Sequence, residues 1–123
     1  MKLTKNFSKH EFDCKDGSDM PSEVLVNVKE LANNLQVVRD LVCEVISINS
    51  AYRSPSHNKA VGGAKNSLHL QGKAADIVIE NYTPSQVYYI LKQLIREDKI
   101  SEGGLSEYKT FVHYDIRKTR ARW

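Results

Sequence analysis

The run Ser67-Leu68-His69-Leu70-Gln71-Gly72-Lys73-Ala74-Ala75-Asp76 constrains the fold of this chain more than any other stretch. Gly72 marks a turn, and Ala74-Ala75-Asp76-Ile77-Val78-Ile79 then reads as a central strand. Side chains alternate along a strand, so Asp76 and Val78 share one face while Ile77 and Ile79 take the other. A lone carboxylate inside an apolar sheet is poorly solvated and needs a partner. Two imidazoles are available. His69 lies seven residues before Asp76, and His113 lies in Phe111-Val112-His113-Tyr114-Asp115, a second strand-like run. There Phe111, His113 and Asp115 share one face, and Val112, Tyr114 and Ile116 the other. With the two strands as near neighbours, His69, Asp76 and His113 converge on one cation. Two imidazoles and one carboxylate fill three positions of a tetrahedral zinc and leave the fourth open to water, as a catalytic rather than a structural zinc requires. A water held there becomes acidic enough to attack an amide carbonyl. Each His taken alone is more simply an ordinary surface or core residue. The glycine-turned entry into one strand and the position in a second favour the ligand reading.

The pattern S-x-H-x-x-G-x-A-x-D is filled by Ser67, His69, Gly72, Ala74 and Asp76. It resembles the zinc signature of the D-alanyl-D-alanine carboxypeptidase family of metallopeptidases, which shares its fold with the Hedgehog signalling domain. The resemblance extends upstream through Ser50-Ala51-Tyr52-Arg53-Ser54-Pro55, His57-Asn58 and Val61-Gly62-Gly63. Downstream it runs through Phe111-Val112-His113 and Asp115 to Ala121-Arg122-Trp123. It is similar to the small single-domain branch found in bacterial murein peptidases and phage-type lysins. It implies a zinc peptidase domain over residues 1–123, with a peptidoglycan peptide as substrate.

Arg53 matches a family arginine that helps bind substrate. Its guanidinium can hold a carboxylate through two parallel hydrogen bonds, and the plain alternative is a structural ion pair. Ser67 can bond substrate or cap the turn before His69. His57 and Asn58 read as loop scaffolding. Many members of the wider family carry an acid three residues before the last zinc His, where this chain has Thr110. Asp115 and Glu107 are then the candidate general bases, Asp115 preferred. The alternatives are an orienter of a ligand imidazole for Asp115 and a solvent-facing turn residue for Glu107.

The expected function is a zinc-dependent peptidase hydrolysing amide bonds in peptidoglycan stem peptides or precursors. It would act as a D-alanyl-D-alanine carboxypeptidase or as a lysin-like murein endopeptidase. A catalytically silent zinc or cell-wall binding module is the alternative, kept open by the missing acid at Thr110. A length of 123 residues suits one core, and 41% hydrophobic with 27% charged residues is ordinary for a globular chain. The net charge of +3 suits an anionic wall and is too small to mark a nucleic-acid binder. The cluster Arg117-Lys118-Thr119-Arg120-Ala121-Arg122 reads as a solvated tail. Cys14 and Cys43 form no C-x-x-C pair; a disulfide cannot be read from their spacing, and two small buried or half-buried thiols are the preferred reading. No run has the length of a signal peptide or membrane span, so the expectation is a monomer made in the cytoplasm. A partner or a virion would then deliver it to the wall, as for a phage-encoded lysin.

Ser8-Lys9-His10-Glu11 has capping-box form and starts a short helix. Apolar residues from Val24 to Val42, at three- and four-residue spacing, predict a helix over 22–42. Glu44 to Ser50 predicts a strand, and one helical turn follows near His57 to Val61. Thr83-Pro84 starts a helix running to about Glu97. Gly103-Gly104 reads as a turn before two strands, near 105–108 and 110–117. The fold class is α+β: a small, mainly antiparallel sheet with helices packed on it.

Overall fold

Val24, Val28, Leu31, Leu35, Val38 and Val42 form the buried stripe of helix α1, Ser22–Val42. The computed structural model describes residues 1–123. The helix stops at Cys43, whose φ of 54° lies in the left-handed region. Before it, a 3-10 turn over Lys9–Phe12 is held by the Glu11 carboxylate, which accepts the Ser8 N–H at 2.7 Å. Strand β1 is Ile46–Ser50 and helix α2 is Pro55–Ala60, with Ser54 capping and Pro55 opening the latter. Strand β2 is Ala74–Ile79. Helix α3, Pro84–Arg96, opens on a reciprocal cap: Gln86 N–H donates to Thr83 Oγ1 at 3.2 Å, and Thr83 N–H donates to Gln86 Oε1 at 2.8 Å. Strands β3 (Gly104–Glu107), β4 (Val112–Asp115) and β5 (Ala121–Arg122) complete the chain.

The five strands lie in the order β1-β2-β4-β3-β5, and every pairing is antiparallel except β3 with β5. The fold is thus α+β with a mainly antiparallel sheet. Ile77, Ile79, Leu105, Val112 and Tyr114 are buried in one core with the stripes of α1 and α3. The register sets Asp76 opposite His113, and His113 opposite Ser106. Alternation therefore turns all three away from the helices. No helix is long and apolar enough to cross a membrane.

Two expectations are corrected. Gly103 and Gly104 do not open a turn; Gly104 begins β3, and both lie against Asp115. A Cβ on Gly103 would meet the Asp115 carbonyl oxygen, and one on Gly104 the Asp115 carboxylate. The basic segment after Asp115 is not a solvated tail. Arg122 donates to Gly103 O at 2.7 Å, Ser106 Oγ donates to Trp123 O at 2.8 Å, and Ala121–Arg122 pairs as β5. A two-residue strand is too short for any periodicity to reveal. Cys14 is buried as expected, whereas Cys43 is exposed, and both are free.

Candidate metal centre

His69 is placed by a 3-10 turn, Leu68–Gln71, whose start is capped by Ser67 Oγ accepting the His69 N–H at 3.2 Å. The turn ends at Gly72 with φ +71°, a conformation that favours glycine. A Cβ there would also lie 2.6 Å from Val24 Cγ1, so α1 could not approach. The Arg53 N–H donates to His69 O at 3.0 Å, which lays residues 51–53 along the turn.

His69, Asp76 and His113 are all buried, and one ligand atom from each lies within 4.8 Å of the others. The hydrogen bonds fix both tautomers. His69 Nδ1 is 2.7 Å from Ala51 O, which can only accept, so Nδ1 carries the proton and Nε2 is bare. His113 Nε2 is 2.8 Å from Asp115 Oδ2, so Nε2 donates and Nδ1 keeps its lone pair. These two nitrogens face the same oxygen, Asp76 Oδ1, at 3.3 and 3.2 Å. Three acceptors converging at buried positions repel unless a cation fills the space. The donor set of two imidazoles and a carboxylate fits a divalent metal such as zinc.

Without metal, the same space favours a proton. Burial disfavours the charged form of His113, but hydrogen bonds to Asp115 and Asp76 outweigh it and raise the pKa. Burial also works against ionised Asp76, yet the adjoining His113 and His69 rings bring its pKa down to about 2.

Asp115 is fully buried. Its Oδ1 accepts from Gly104 N–H at 2.8 Å and from Arg117 Nε at 2.9 Å; its Oδ2 accepts from His113 and from Arg117 Nη2, each at 2.8 Å. Burial opposes its ionisation, but the hydrogen bonds from His113, Arg117 and Gly104 hold its carboxyl well below the usual range. A carboxylate so enclosed is committed to these partners and lies outside the lining of the cleft. Glu107 lies on the opposite face of the sheet from His113. Its register partner Val112 faces the helices, and its exposed carboxylate accepts from Ser85 Oγ at 2.8 Å on α3. Thr110 is exposed and lies outside the cleft.

The three groups lie in a cleft of about 510 Å³ that Arg53, Ser67 and Arg117 also line. Asp76 is its only carboxylate. The Arg53 guanidinium donates to Ser50 Oγ at 3.1 Å and Asn58 Oδ1 at 3.2 Å, and its Nη2 reaches Asp76 Oδ2 at 3.5 Å. Asn58 is thus a brace for Arg53. Sequence reasoning missed the aromatic wall opposite. The Trp123 ring lies 5.0 Å from that of His113, and its Nε1–H donates to Tyr108 Oη at 2.8 Å. Tyr108 in turn stacks on Phe111 at 4.7 Å. Arg117 lies 5.3 Å above the Trp123 ring and so joins this wall to Asp115. The one signal for it in the sequence was the resemblance at Ala121-Arg122-Trp123.

The family model described as Peptidase M15 matches residues 2–115. No curated protein sequence matches significantly. Among solved structures, the L-Ala D-Glu endopeptidase ChiX of Serratia marcescens is similar, with a TM-score of 0.53 at 17% identity. The match covers 79% of this chain and 88% of that one. At that identity the likeness establishes the shared fold.

Proposed function

The chain belongs to the peptidase M15 family, and from that premise we propose that it is a zinc-dependent peptidase cleaving amide bonds in the peptides of peptidoglycan. The observation that carries this reading is the convergence of His69 Nε2, His113 Nδ1 and an Asp76 oxygen on one point at the floor of an open cleft. These three residues would hold the metal. When bound, zinc would supply a Lewis acid for the scissile carbonyl and bring a water's pKa towards neutrality.

The remaining roles belong to the chain's own side chains. The Ala51 carbonyl and the Asp115 carboxylate each hold one ring nitrogen of a ligand imidazole, fixing tautomer and orientation. Asp115 is assigned that orienting role. The Arg53 guanidinium, braced by Ser50 and Asn58, offers Nη2 to a carboxylate of the substrate once a metal competes for Asp76. Ser67 caps the turn and lines the cleft. Arg117 is committed to Asp115, so Arg53 is the cleft cation that suits an anionic group of the peptide. The endopeptidase form of the reading draws support from the fold neighbour, an L-Ala D-Glu endopeptidase.

One observation favours a second reading, a zinc-holding cell-wall module without turnover: no carboxylate is free in the cleft to take a proton. Digestion of purified muropeptides, with products weighed by mass spectrometry, separates the cases. A split stem peptide marks the endopeptidase, loss of a terminal alanine the carboxypeptidase, and intact muropeptides bound to the zinc form the silent module.

A further inference from the structure

A second set of ligand atoms converges around Ser54, the residue after Arg53. Cys14, Asp16 and His57 each bring one such atom within 4.8 Å of the others. Cys14 and Asp16 reach one point because the chain turns tightly after them. Gly17 N–H donates to Cys14 O at 3.1 Å, and Gly17 sits at φ +83°. His57 comes from α2. Nothing in the sequence spacing announces the group, because the third member arrives through the fold.

Each side chain is disposed as a ligand. Cys14 Sγ is buried and accepts the Ser54 backbone N–H at 3.3 Å. Asp16 is exposed, and its Oδ2 accepts from Ser54 Oγ at 2.8 Å. His57 joins this scheme through its backbone, donating N–H to Ser54 Oγ at 3.2 Å, which leaves its half-buried ring free. A cluster built for hydrogen bonding alone has no use for that imidazole.

We propose that Cys14, Asp16 and His57 form a second divalent-metal site, selective for zinc-class ions and separate from the cleft. Sulfur, imidazole and carboxylate together are too soft a set for calcium or magnesium. The exposed Asp16 gives the ion access from solvent and leaves room for a water as fourth ligand. Ligand atoms around tetrahedral zinc sit about 3.5 Å apart, so the exposed Asp16 and half-buried His57 side chains close slightly on binding. The ion would pin the loop after Phe12 to the start of α2. Ser54, which bonds both Cys14 and Asp16, directly follows Arg53. The second site therefore braces the segment that carries the cleft's guanidinium.

The test is metal stoichiometry with cobalt(II) as the spectroscopic probe, because thiolate-to-cobalt charge transfer absorbs in the near ultraviolet. The intact chain should take up two equivalents of zinc, and its cobalt form should show the thiolate band. Cys14→Ser should lose the band and one equivalent, while Cys43→Ser keeps both. His113→Ala should lose the other equivalent and keep the band, so the two sites fail independently. His57→Ala should weaken the second equivalent by about tenfold or more, since loss of a ligand costs at least what loss of a ligand's hydrogen-bond partner does. One equivalent and no thiolate band in the intact chain would overturn the proposal, as would a band that survives Cys14→Ser. If Cys14→Ser does not fold, an unchanged second equivalent in His57→Ala overturns it equally.

Discussion

His113 gives its Nε2–H to Asp115 at 2.8 Å, and this one bond decides which ring nitrogen faces Asp76 and His69. Asp115 is itself fixed by the two-pronged Arg117 and by the Gly104 N–H. The arrangement runs from strand β3 through a buried carboxylate to the His113 imidazole, and it leaves Asp115 no contact with the cleft.

Asp115→Asn should therefore act through the metal. Losing the charge that orients His113 should weaken zinc binding by about 10–100-fold, measured by competition with a chromogenic chelator. Full zinc affinity with a much reduced turnover would return Asp115 to the role of general base.

Gly104→Ala probes the same chain of contacts from its far end. The new Cβ would lie 2.2 Å from Asp115 Oδ2 and 2.8 Å from its Cγ. Shifting a buried carboxylate to make room should cost about 1–3 kcal/mol of stability and lower zinc affinity with it. Denaturant midpoints and zinc competition on one preparation check both. A loss of stability with zinc affinity intact would separate β3 from the metal.

Arg53→Lys keeps the charge and removes the fork. A charge-assisted hydrogen bond contributes about 1.5–3 kcal/mol, so kcat/KM on a stem peptide should fall about 10–100-fold with little change in melting temperature. Unchanged hydrolysis beside a lowered melting temperature would reduce Arg53 to a structural partner of Asp76.

The metal-free chain should show a pH optimum of stability set by the same residues. Asp76 has its pKa lowered from 3.8 to about 2, so its contribution is present above about pH 4 and is lost as pH falls through 2. His113 has its pKa raised from 6.5, so its contribution is full below that value and is lost as pH rises through the folded pKa. Urea midpoints of chelated protein should peak between the two limits, and Asp76→Asn should flatten both limbs. A midpoint indifferent to pH contradicts this pairing.

Much of this was legible in the sequence. The apolar spacing of α1 and the Thr83-Pro84 cap marked two helices closely, and alternation put Asp76 and His113 on a common kind of face. Alternation assigns a face and not a depth, so it could not tell an Asp115 in the cleft from one sealed beneath His113. That depends on Gly103 and Gly104 admitting the carboxylate and on Arg117 closing over it. The face that Glu107 takes depends on its register with Val112, a relation between strands that spacing does not carry. Trp123 and the two-residue β5 left no periodic trace, although they wall the cleft.

The central claim is that His69, Asp76 and His113 hold the zinc that drives hydrolysis. The most direct measurement returns zinc stepwise to metal-stripped protein while muropeptide cleavage is followed by mass spectrometry. Cleavage should rise from zero and saturate once the cleft site is filled, and His113→Ala should stay inactive at every zinc level. Cleavage that persists in the stripped chain, or returns in His113→Ala at the same zinc level, would contradict the account.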